Sequence, residues 1–231
     1  MVYAGTEVSI RVQLENLPEG WTSPNRTLEG KLTDDAGNEY PKIHGPNSGV
    51  DPDGVYTLTF VAASSEAKQL SFTASEIFLS VPLADQSIRV DLGVAPQIGD
   101  RIPIDETVDV LGISVRFAAV SILDGKVANT PEETALTTFD FDIDRTPIQN
   151  GIGVTGVGYF PDLSAMFGSR YQGVHGMSGG GADPEAPGYT KVGLSISIPA
   201  DLPLPTGSFE LPLQEAQVLL EGPYTITWEI E

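Results

Sequence analysis

Cysteine is absent from the 231 residues, and histidine occurs only twice, at His44 and His175. Without thiols there is no disulfide framework, no thiolate metal site and no cysteine nucleophile. Basic residues are scarce as well: 12 Lys and Arg stand against 32 Asp and Glu, a formal net charge of -20. A surplus of that sign repels phosphate backbones, so nucleic acid is not an expected partner. No apolar run approaches the ~18 residues that cross a bilayer, and no membrane span is expected. The start, Met1 to Glu7, has neither a basic leader nor an apolar core and does not read as a signal peptide. Helical periodicity is also missing. Only 64–69 and 214–217 tolerate a helical turn or two, and 18 prolines break the remainder.

What is present is alternation of apolar and polar residues. Hydrophobic residues make up 40% of the chain, enough to build a packed interior. Glu7 to Glu15 places Val8, Ile10, Val12 and Leu14 on one face, the period-2 signature of a half-buried strand. Further strands are expected over 28–33, 55–61, 70–81, 87–92, 107–110, 113–123, 136–143, 191–198, 209–213, 218–220 and 224–230. Asp124-Gly125 and Asn150-Gly151 are turn signals. Many short strands separated by turns predict an all-β chain of two tandem antiparallel β-sandwich, immunoglobulin-like domains. The Gly- and Pro-bearing stretch Gly93 to Asp100 suggests the division. It gives a first domain over 1–95 and a second over 96–231, the latter with a long Gly-rich loop over 146–189. A diverged duplication is one reading of the halves, and two unrelated sandwiches the other. Under duplication the first half begins one strand late, which leaves an open edge near Glu7 to Glu15.

Several strings carry candidate chemistry. Gly151-Ile152-Gly153-Val154-Thr155-Gly156 matches the dinucleotide-binding pattern, which requires a strand before it and a helix after it. With Pro161 close behind and no helix expected, the string reads as a turn and strand, and no cofactor is assigned. Gly176-Met177-Ser178-Gly179-Gly180 matches a nucleophile elbow, but both histidines precede Ser178, against the order that elbow uses. Asp140, Asp142 and Asp144 alternate with Phe139, Phe141 and Ile143, which aligns three carboxylates on one face of a strand. A solvated face is the first reading. The alternative is a calcium ion held by these three with ligands from a neighbouring loop. Asp34 to Asn38 and Asp51 to Gly54 read as turns. Trp228 falls in phase with Tyr224, Ile226 and Ile230 and is expected in the core. Trp21 lies in a polar loop and, with Tyr159, Phe160, Phe167 and Tyr171 of the long loop, makes up the candidate binding aromatics.

The phrases Gly30 to Tyr40, Tyr56-Thr57-Leu58-Thr59-Phe60 with Lys68 to Phe72, and Asp91-Leu92-Gly93 with Val110 to Val115 are familiar. They resemble the extracytoplasmic β-rich regions of bacterial membrane-anchored proteins of the anti-sigma-factor kind. The resemblance spans about residues 5–125 and the closing strand 222–230. It implies a β-rich fold and an extracytoplasmic or cell-surface location, and it carries no catalytic residues.

The function expected from these observations is a non-enzymatic extracytoplasmic module, acting as sensor, spacer or protein-interaction domain through the segment 146–189. Two alternatives stand beside it. One is a structural subunit of a surface assembly that takes up a strand at the open edge, so that the partner is a protein or a second copy. The other is a carbohydrate-binding module built on exposed aromatics.

Overall fold

The computed structural model describes residues 2–4, 7–22, 28–43, 49–51, 54–126, 135–158, 171, 176–178 and 180–230. The chain is all-β, with antiparallel ladders in every sheet and no α-helix among the described residues. In chain order the strands are β1 (Val2–Ala4), β2 (Glu7–Gln13), β3 (Gly30–Asp34), β4 (Glu39–Tyr40), β5 (Lys42–Ile43), β6 (Gly49–Val50), β7 (Val55–Val61), β8 (Gln69–Asp91) and β9 (Arg101–Val110). They continue with β10 (Ile113–Lys126), β11 (Ala135–Ile143), β12 (Thr146–Pro147), β13 (Ile152–Gly158), β14 (Gly176–Ser178), β15 (Gly181–Ala182), β16 (Tyr189–Lys191), β17 (Leu194–Pro199) and β18 (Ser208–Glu229).

The chain forms two compact units, Met1–Ser80 with Leu219–Glu231, and Val81–Val218. The first is therefore discontinuous in sequence, and the stretch 93–99, expected as a linker, lies within the second.

In the first unit one sheet runs β1-β2-β7-β5, with β6 also on β7. Its registry sets Val8 opposite Phe60, Ile10 opposite Leu58 and Val12 opposite Tyr56. All six side chains are buried, as strict alternation on a half-covered sheet requires. The unit's other sheet orders the end of β18, the start of β8, β3 and β4, and sets Leu32 opposite Phe72. Leu32, Leu70, Phe72 and Ala74 share one core with the inward residues of β2 and β7 in a sandwich-like arrangement. Phe60 meets Phe72 edge-on, ring centroids 6.2 Å apart. Full burial of each such side chain contributes roughly 1.5–3 kcal/mol, so these few residues dominate the unit's stability.

In the second unit a sheet runs β14-β17-β11-β10-β9, a smaller one runs β12-β16-β15, and β13 flanks β18. The turn between β9 and β10 is Leu111-Gly112, both with positive φ, as a two-residue hairpin turn demands. Phe117 and Phe141 lie edge to face in the core, centroids 6.3 Å apart.

Several expectations require correction. The expected strands 70–81 and 87–92 are one strand, β8, which continues through Pro82 because proline's fixed φ is compatible with extended backbone. Segment 214–217 lies inside β18, not in a helical turn. Asp124-Gly125 is part of β10, paired with Thr137 and Leu136, where a turn is expected. The segment 146–189 is not one long loop, since β12, β13, β14 and β15 and the start of β16 fall within it. Glycine-rich strands lack the alternating side chains that reveal a strand in sequence.

Candidate functional site

β2 is covered unevenly. On one side β7 pairs with all of it, Glu7 to Gln13. On the other, β1 reaches only Glu7, Val8 and Ser9. Among the described residues no strand pairs with the outer edge of Ile10, Arg11, Val12 and Gln13. Backbone groups on such an edge are a template for another strand.

The facing sheet continues past this point. Thr225 and Thr227 of β18 bond across to Thr73 and Ser71 of β8, each hydroxyl pair 2.9 Å apart. These fix the outer face, so that Tyr224, Ile226 and Trp228 alternate onto the inner one. Yet that inner face is not sealed. Ile226 is 52% exposed, Tyr224 is 39% exposed and Trp228 is half-buried. The expected core position of Trp228 holds in part, since Trp228 and Ile230 pack against the core, whereas Tyr224 and Ile226 of the same row stay exposed.

The result is an open groove of about 310 Å³ lined by Ile10, Arg11, Val12, Phe72, Ile226 and Trp228. Its floor is the core ring Phe72, and its volume lies at the small end of ligand pockets. The single charged lining group is Arg11, whose guanidinium donates to Asp51 at 3.2 Å at the solvent-exposed rim. With no carboxylate, hydroxyl or imidazole among these lining residues, the groove offers apolar contact, an aromatic edge and backbone hydrogen bonds.

The acidic row lies elsewhere, in the second unit. Asp140 and Asp142 project outward from β11 while Phe139 and Phe141 are buried, and Asp144 follows the strand's end. The row is organised as ion pairs. Asp142 meets Arg101, and Asp144 lies 2.8 Å from Arg116, which also reaches Asp105. The two carboxylates hold the Arg116 guanidinium firmly charged. Burial, and then the neighbouring Asp142, raises the pKa of Asp140. Arg145, Lys191 and these carboxylates border an open cleft of about 640 Å³. Behind it the buried Asp183 lies 2.6 Å from Arg145 Nε and 3.7 Å from Lys191 Nζ. Among the described residues, no three Asp, Glu or His side chains gather as a metal-binding set.

The remaining candidates separate. Trp21 is half-buried in a turn closed by its amide donating to the Pro18 carbonyl. Tyr171 is buried, with its hydroxyl donating to the Pro203 carbonyl, so its ring is not a surface platform. Tyr159, Phe160 and Phe167 lie outside the described residues, as do His175 and Gly179 beside the Ser178 string. Asn150-Gly151 forms a positive-φ turn that bridges Gln149 to Ile152 and leads into strand β13, so most of the glycine string is itself strand.

Under the duplication reading the whole edge Glu7 to Glu15 is expected to be open; in the structure β1 covers Glu7 to Ser9, and only the outer edge of 10–13 has no neighbouring strand among the described residues. The groove's other wall gave no signal, because Ile226 and Trp228 alternate as core residues do. No family model, curated protein or solved structure matches the chain.

Proposed function

We propose that the chain is a non-enzymatic interaction module of an extracytoplasmic surface, built of two immunoglobulin-like sandwiches, the first of which accepts an extended segment of a partner protein. One observation carries the reading. A core-type face bearing the exposed Ile226 lies beside the stretch of β2 whose outer edge has no neighbouring strand among the described residues. An inserted strand satisfies both deficits together, pairing with the β2 backbone while its side chains cover Ile226. The acid excess supports a solvent-facing location, where self-repulsion keeps a protein dispersed.

The test is selection of random peptides displayed on phage against the whole chain, followed by binding to Ile226→Arg, which places a cation in the groove at an exposed position. The reading expects selected peptides to lose binding to Ile226→Arg and to keep it to Asp140→Asn in the second unit. Peptides indifferent to Ile226→Arg, or a selection that yields none, would overturn it.

A further inference from the structure

We infer that the occupant of the groove is a basic extended segment of another polypeptide, added as a strand along β2 with its apolar side chains turned onto Ile226 and Trp228. The inference rests on the strand-accepting reading above and names the chemistry of the partner.

Three features select that chemistry. The first is polarity: the lining is apolar on the core side, so an inward-facing residue of the occupant must be apolar too. Alternation then puts every second residue of the occupant in solvent. The second is charge. Exposed Glu7 and Glu15 bracket the strand, exposed Glu229 lies beside Trp228, and the cation at the centre, Arg11, is already paired with Asp51. The first unit as a whole carries 14 acidic residues against 5 basic ones. The solvent-facing residues of the occupant are therefore best basic, since complementary charge speeds encounter and rejects acidic competitors. For the same reason a second copy, itself at -20, is a poor occupant. The third is geometry. The tract 10–13, whose outer edge has no neighbouring strand among the described residues, continues the line already taken by β1, which is antiparallel to β2. A strand there extends an existing ladder without moving either sheet.

The probe is the peptide Lys-Val-Thr-Val-Thr-Val-Lys, long enough to pair along tract 10–13 and extend past its end. Three companions accompany it: the same sequence with Glu at both ends, and two versions N-methylated at either the Val or the Thr amides. Binding to the whole chain is measured by calorimetry at low and high salt. The Lys-ended peptide is expected to bind, and the Glu-ended one to bind at least about tenfold more weakly at low salt, the gap closing as salt screens the charges. Only one edge of an added strand faces β2, so one N-methylated version should lose binding and the other keep it. Equal binding of the Lys- and Glu-ended peptides, or of the two N-methylated versions, overturns the inference. If that binding is still lost in Ile226→Arg, the groove remains a polypeptide site and only the partner chemistry is wrong. No binding by the Lys-ended peptide, or self-association of the chain alone at low salt, also overturns the inference.

Discussion

The hydroxyl of Tyr40 donates to Oδ2 of Asp34 at 2.6 Å, across the turn between β3 and β4. The other oxygen of that carboxylate accepts the amides of Ala36 and Asn38, and Asn38 also donates its side-chain amide to Oδ2. The Asp-Asp-Ala-Gly-Asn string is thus a turn whose first carboxylate has four donors, with Gly37 at a φ of 84°.

A pH dependence follows from this arrangement. Led by Tyr40 and then Asn38, these donors hold the Asp34 pKa at about 2, below the ordinary 3.8. Because the folded value is the lower one, the stabilisation is complete above about pH 4 and drains away as pH falls through about 2. Asp34→Asn should flatten the dependence of the urea midpoint on pH within that window, and Tyr40→Phe should shrink it. An unchanged slope in both variants would show that the turn contributes nothing to acid sensitivity.

The groove floor and its wall should respond differently to truncation. Phe72 is fully buried and in contact with Phe60, so Phe72→Ala should cost about 3–5 kcal/mol in chemical denaturation. Ile226 is half-exposed, and Ile226→Ser should cost less than about 1 kcal/mol. Comparable losses would mean that the wall is sealed in solution.

Gly180 tests the close approach in the second unit. A Cβ there would fall 2.1 Å from the carbonyl oxygens of both Thr155 and Lys191. Gly180→Ala should therefore lower stability by about 1–3 kcal/mol or more, read as a drop in thermal midpoint. A neutral result would require those two carbonyls to part at no cost.

β1 should compete with the occupant for the edge. It covers only Glu7, Val8 and Ser9, three of the seven residues of β2. Removing residues 1–4 is expected to strengthen binding of the Lys-ended peptide several-fold in calorimetry by exposing the whole edge. Weaker binding after the deletion would show that β1 guides the incoming strand.

The alternating strands were legible because one face of each is buried. Val8, Ile10 and Val12 of β2 and Tyr56, Leu58 and Phe60 of β7 announce their sheet by pattern alone. β13 was not legible: Gly153, Gly156 and Gly158 remove the side chains that report the period. The length of β8 was hidden by Pro82, which reads as a break in sequence but is tolerated in extended backbone. The alternation of Asp140 and Asp142 was visible, whereas their pairing with cations from β9 and β10 depends on registry that only the folded sheet fixes. The groove lay furthest from view. A sequence shows that Ile226 and Trp228 are apolar, but not that the sheet facing them ends too soon to cover them.

The discontinuous make-up of the first unit has a bearing on how the protein is made. Trp228 and Ile230 pack against a core whose other members all precede residue 81. On the ribosome those earlier residues emerge first, with every residue of the second unit translated before the last part of β18, from Leu219 on. The later-synthesised unit therefore has the opportunity to fold first. Until residues 219–230 are translated, the core of the first unit lacks Trp228 and Ile230, the partners that come from this closing stretch.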